Sequence, residues 1–124
     1  MSFQITYKNK TFRVTFAGCT SINEINDANS QIQGSIDFDR HKNQIWDFTR
    51  ADASLVTKDD TLTPAATDLG AAYIKENINI ALVAVEEHAV NMCKAYVITS
   101  QKTGSPWNFK ICSTIEDAFK WLKI

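Results

Sequence analysis

The sequence predicts an α/β fold: a mixed sheet of about five strands with four helices, opening with a β-hairpin and continuing as βα repeats. Three observations carry this. Ile80-Ala-Leu-Val-Ala-Val85 is an unbroken apolar run, which suits a strand covered on both faces. Short apolar segments alternate with amphipathic helical patterns across short polar turns, the order that gives parallel strands. At the amino end, two segments of period two lie side by side in the chain and read as an antiparallel pair.

In order, Phe3, Ile5 and Tyr7 alternate with polar residues, as do Phe12, Val14 and Phe16. Lys8-Asn9-Lys10 between them is the hairpin turn, where Asn9 tolerates the left-handed conformation. Ser21-Ile-Asn-Glu24 has capping-box spacing, and Ile22, Ile25, Ala28 and Ile32 then recur on one helical face that Gly34 can end. Residues 35–43 read as a polar surface loop. Gln44-Ile-Trp-Asp-Phe48 is a short strand. A helix is expected from Thr63-Pro64, with Pro in its first turn, Leu62, Ala66, Leu69, Ala72 and Tyr73 as its stripe, and Asn77 as its stop.

After the apolar run, Ala89, Met92, Cys93 and Tyr96 take the i, i+3, i+4, i+7 spacing of a buried helical face. Gly104-Ser-Pro106 marks a turn, and Trp107 to Cys112 is the last strand. Ser113-Thr-Ile-Glu116 reads as a second capping box, opening a helix that carries Ile115, Ala118, Phe119 and Leu122 inward.

At 124 residues, 44% hydrophobic and 22% charged, the chain suits one globular domain, residues 1–124. The net charge of −1 comes from interspersed acids and bases, leaving no basic stripe for nucleic acid. The start of the chain lacks the charged lead and apolar block of a signal peptide, and no run approaches the ~20 apolar residues that span a bilayer. Cys19, Cys93 and Cys112 are few and widely spaced, without a Cys-x-x-Cys pair, as in a reduced, cytoplasmic protein.

Two stretches carry a family resemblance. One is the apolar run with the following Met92-Cys-Lys-Ala-Tyr96; the other is Phe109-Lys-Ile-Cys-Ser-Thr-Ile-Glu-Asp-Ala-Phe-Lys-Trp-Leu122. With the order β-β-α-β-α-β-α-β-α, the chain resembles the STAS domain, and more particularly its bacterial SpoIIAA-like branch. The resemblance implies a binding or regulatory module working through a protein partner or a small apolar, lipid-like ligand, without a cofactor. Anti-sigma-factor antagonists of that family carry Asp-Leu-Ser and then a phosphorylated Asp-Ser-Ser-Gly. Here Asp47-Phe48-Thr49 echoes the first piece, but Leu55-Val56 stands where the second should fall. The phosphorylation switch therefore does not carry over, although Ser54 and Thr57 lie nearby.

In parallel α/β sheets, ligands bind beyond the carboxyl ends of the strands. That edge gathers Asp47, Thr49, Arg50, Glu86, Glu87, His88, Ser113 and Thr114 as candidate ligand-binding residues, all of which also serve as caps and turn formers. An enzyme would draw on Asp47, Glu86 and His88 as acid/base groups, which requires them to converge. His41 lies in a different loop from His88, so no metal spacing arises. Trp107 and Trp121 could form an apolar patch, and the hairpin's free edge could pair two copies into a homodimer.

Overall fold

The computed structural model describes residues 3–124; Met1 and Ser2, the first of the residues read for a leader, lie outside them. Strands β1 (Phe3–Lys8) and β2 (Thr11–Cys19) form the expected antiparallel hairpin. Asn9 and Lys10 both take positive φ, 53° and 56°, the turn whose twist matches the flanking strands. Then follow α1 (Ile22–Gln33), β3 (Asn43–Asp52), a 3₁₀ turn at Asp59–Thr61, α2 (Leu62–Ala72), β4 (Asn79–Val83), α3 (Glu87–Lys102), β5 (Asn108–Cys112) and α4 (Ile115–Leu122). The sheet runs β1-β2-β3-β4-β5, and every pair after the hairpin is parallel.

Strand alternation sends side chains to two faces covered by different numbers of helices. Phe12, Val14, Phe16, Trp46, Phe48, Ile80 and Leu82 join the large core under α1, α2 and α3. Ile45, Ala81, Val83 and Cys112 join a smaller core under α4 alone. Helix α4 packs over β3, β4 and β5, so the hairpin's half of that face has no helix, and its residues there are polar: Gln4, Thr6, Lys8, Arg13 and Thr15.

The capping box at Ser21 forms as the spacing predicts, Ser21 accepting from the Glu24 N–H and Glu24 from the Ser21 N–H. Elsewhere boundaries move. The apolar run stops being strand at Val83, and Val85, past the sheet edge in the turn to α3, is 64% exposed. At α4 the cap is Thr114 rather than Ser113: its hydroxyl accepts from the Asp117 N–H, one residue further on than the expected box. Strand β3 continues past Phe48 to Asp52, because β2, after an irregularity between Thr15 and Ala17, keeps pairing with it through Cys19–Asp52.

Helix α2 is set differently from its apolar pattern. Its buried side is Pro64, Ala65, Asp68, Ala71 and Ala72, while Leu62 and Tyr73 face water, and it ends at Tyr73 rather than Asn77. A stripe counted from apolar residues alone cannot include Asp68. The segment 35–43 is not wholly on the surface either, since Phe38 and His41 are buried. The Trp46 indole donates to Gln44 Oε1 at 2.9 Å, the Gln44 amide lies 3.1 Å from His41 Nε2, and His41 Nδ1 meets the Phe38 carbonyl. That chain fixes Nδ1 as the protonated nitrogen, and burial holds the His41 pKa below the ordinary imidazole value. Trp107 is buried with its indole donating to the Lys75 carbonyl, and Trp121 packs against the small core, so no tryptophan patch forms. Among the described residues no helix is long and apolar enough to cross a membrane.

Each parallel strand after the hairpin begins with asparagine, and the register places these residues side by side. Asn108 Nδ2 donates to Asn79 Oδ1 (3.0 Å), Asn79 Nδ2 to Asn43 Oδ1 (3.2 Å), and Asn43 Nδ2 to Thr11 Oγ1 (3.2 Å). Thr11 Oγ1 donates onward to the Asn9 carbonyl at 3.0 Å. All four donors point the same way, so each bond polarises the next. Asn79→Ala breaks the row in its middle and strands the Oδ1 of buried Asn43, so we expect a loss of about 1–2 kcal/mol. Asn108→Ala, at the exposed end, should cost less than half of that. Urea midpoints at unchanged m-value check this, and equal losses for the two variants would refute it.

Candidate functional site

The candidate residues at the carboxyl edge divide between the two faces of the sheet. Asp47 shares a face with Ile45, on the α4 side, where it is buried. Its Oδ1 accepts from the Thr49 N–H (3.0 Å) and hydroxyl (2.7 Å), and its Oδ2 lies 3.7 Å from Arg13 Nη2. Thr49 and Arg50 are exposed within β3.

Glu86 and His88 open α3, on the other side. Both carboxylate oxygens of Glu86 cap the helix, accepting from the His88 and Ala89 N–H groups at 2.9 Å each. Those bonds hold its pKa below the usual carboxylate range, helped by nearby His88. Asp52, whose pKa is lowered chiefly by the Ser54 hydroxyl and N–H, also feels His88. His88 Nε2 lies 2.8 Å from the Val56 carbonyl, tying the β3–α2 loop to the start of α3. Glu87, Ser113 and Thr114 are exposed, with Thr114 occupied as a cap. The structure thus brings Asp52, Glu86 and His88 together, leaves Asp47 on the opposite face, and engages most of these groups in local backbone bonds.

Beneath that edge, between the sheet and α1–α3, lies a cavity of ≈ 40 Å³. By volume it takes about three water-sized groups. Ile25, Pro64 and Met92 line it from the three helices, Trp46, Phe48 and Leu82 from the strands, with half-buried Ile22 at its rim. One turn further along each helix the lining becomes polar, because Asn29, Asp68 and Tyr96 stand four residues after those three. Cys93 also faces the cavity, and burial pushes its thiol up to about 12, so it is a small apolar wall.

Asp68 is the centre of the polar end. Its Oδ1 accepts from Asn29 Nδ2 (3.0 Å) and Gln33 Nε2 (2.9 Å), and its Oδ2 from the Tyr96 hydroxyl. One carboxyl therefore joins α1, α2 and α3. Burial raises its pKa to about 6, opposed by these three hydrogen bonds, and burial with the adjacent carboxylate keeps the Tyr96 phenol protonated. Sequence reading missed this group. Its signal was present: Asn29 continues the Ile25 side of α1, but a polar residue on an apolar stripe reads as noise until its partners are placed.

No family model and no curated protein matches the sequence. Among solved structures, the chain is similar to an uncharacterised protein of the DUF3478 family from Shewanella loihica PV-4, described as having a SpoIIAA-like fold. The two share 16% identity, the match covers 97% of this chain and 91% of that one, and the TM-score is 0.53. The fold is SpoIIAA-like. At that identity the similarity establishes the architecture alone. In this SpoIIAA-like chain, what can act is decided by its own cavity and edge.

The Asp68 carboxyl has a consequence for stability. Its folded pKa stands above the unfolded value, so its contribution is fully present below about pH 4 and is lost as pH rises through about 6. Asp68→Asn keeps an acceptor for Asn29 and Gln33 without the buried charge. The stability of this variant relative to the parent should rise by up to roughly 3 kcal/mol between those limits. Burial lowers the His41 pKa, which acts in the opposite direction in both proteins and cancels in the difference. Urea denaturation across the range checks it, and a flat difference would refute it.

Proposed function

We propose that this protein is a non-catalytic binding module that takes a small apolar group into the cavity between α1–α3 and the sheet, entering from the carboxyl edge of the strands. The observation that carries the reading is the cavity itself: apolar walls on three helices and two strands, closed at its inner end by a few converging polar groups, the usual makeup of a small-molecule site. Its volume suits a short chain or the tip of a longer one, and Met92, flexible and unbranched, can make way for more. Glu86, Glu87 and His88, at the start of α3, then form the polar surroundings of the entrance rather than reacting groups, in keeping with the capping bonds of Glu86 and the contact of His88 with the Val56 carbonyl. Asp47 with Thr49, and Thr114 at the start of α4, are engaged on the other face.

A second reading, contact with a protein partner at the same edge, is favoured by Leu55 and Val85. They are 66% and 64% exposed and flank the His88–Val56 contact in the chain.

Primary alcohols of increasing length test the first reading, with the Trp46 indole and the Met92 methyl as NMR reporters. Saturable shifts that strengthen with each added methylene up to the cavity's capacity support it. Cys93→Leu, which fills the wall from within, should abolish them at a stability cost of about 1–3 kcal/mol, as added volume in a packed wall brings. Unsaturable shifts, or uptake indifferent to that substitution, would refute it. The double variant Leu55→Asp/Val85→Asp should leave uptake unchanged.

A further inference from the structure

We propose that the group taken up is a primary ammonium on a short apolar chain, held at the inner end of the cavity by the Asp68 carboxylate. The inference rests on the cavity being a binding site and adds the chemistry of its occupant.

Four features of the site select that chemistry. The first is charge. Asp68 is 5% exposed, and the influences on its ionisation are burial and three neutral donors, with no cation among them. Among the described residues the ion pairs lie elsewhere, at Arg13–Asp47 and Arg40–Asp37. Above its pKa the carboxylate carries a charge that no neighbouring cation balances, and a cation beside it there gains more than the same cation in water.

The second is acceptor capacity. A carboxylate offers about four acceptor positions. Two donors fall on Oδ1 and one on Oδ2, so Oδ2 retains a position for one more N–H. The third is the remaining polar groups: an ammonium has three N–H donors, and the same lining offers two further acceptors. The Tyr96 hydroxyl, which donates to Asp68, and the Asn29 Oδ1, which takes one long bond of 3.5 Å from Gln33 Nε2, each have a lone pair to accept with. A carboxylate or phosphate in that place would meet a like charge.

The fourth is direction. The lining is apolar through Ile25, Pro64 and Met92 and becomes polar one turn deeper, at Asn29, Asp68 and Tyr96. An alkylammonium entering head first fills both parts: the charge reaches Asp68 and the chain lies back along the apolar walls toward half-buried Ile22. A cavity of ≈ 40 Å³ accommodates the nitrogen with about two carbons, and flexible Met92 can make way for a third.

The experiment compares propylamine, propan-1-ol and propionate on the full chain at about pH 8, followed by the Trp46 and Met92 resonances. Propylammonium should bind about tenfold or more tightly than propan-1-ol, as expected of a charge-assisted bond formed out of water. Propionate should not compete. In Asp68→Asn the amine and the alcohol should bind within about twofold of each other, since the charge is gone and the shape is kept.

The parent protein supplies a second measurement that does not depend on how well that variant folds. Between about pH 8 and about pH 5 the amine preference should fall as Asp68 takes up its proton. Of the groups around it, Asn29 and Gln33 on α1 do not titrate, and Cys93 and Tyr96 on α3 are both pushed upward by burial. If the alcohol binds the parent as tightly as the amine, or the amine preference survives in Asp68→Asn or at low pH, the ammonium assignment is overturned while the cavity remains a binding site. If none of the three molecules binds, the reading of the cavity fails, and this one with it.

Discussion

A parallel sheet has to be covered on both faces, and this one is covered unequally. Three helices lie on one side and a single short helix on the other. Most of the molecule's character follows from that imbalance. On the three-helix side the layer is wide enough for the helices to contact each other as well as the sheet, and the space where α1, α2 and α3 meet over β3 and β4 is not fully filled. On the other side α4 packs mainly over β3, β4 and β5, and meets the hairpin where Arg13 lies over the Phe119 ring. The strands beneath it carry small or medium side chains, Ala81, Val83 and Cys112, and the hairpin beside it carries polar ones.

The same imbalance explains which parts of the fold were legible in the sequence. Hairpin, element order and the two-sided burial of β4 come from periodicity and turn chemistry, which are local. The buried face of α3 was visible because its stripe is apolar or aromatic from Ala89 to Tyr96. Helix α2 was misread because its inward side includes Asp68, whose place depends on Asn29, Gln33 and Tyr96, 28 to 39 residues away in the chain. No local pattern contains that information. For the same reason the burial of His41 within its loop was not legible: beside nearby Phe38, its ring packs against Phe12, which lies on a strand 29 residues earlier.

The candidate site shows the limits of reasoning from topology. The rule that ligands gather at the carboxyl ends of parallel strands pointed to a region and named the residues most conspicuous there. Many of those residues are occupied with the backbone at strand ends and helix starts, as Glu86 and Thr114 are. The cavity lies just below, walled by residues that look like ordinary core. What distinguishes it is one carboxyl where a core would ordinarily place an aliphatic side chain. Joining three helices through neutral donors also means that this interior is organised around a group sensitive to protons near neutrality.

The asparagine row at the opposite edge has a bearing on how the chain tolerates change. Each of its bonds exists only when neighbouring strands start level with one another. Sliding any strand by a single residue would swing its amide to the far face and sever the links on both sides of it. The row therefore works as an alignment mark, separate from the apolar packing above it. Extra residues inserted after α1 or α2 would have to bulge outward as longer loops, since the strands they connect are pinned at their starting line. Lengthening those connections is accordingly a practical way to attach new segments to this scaffold without disturbing its interior.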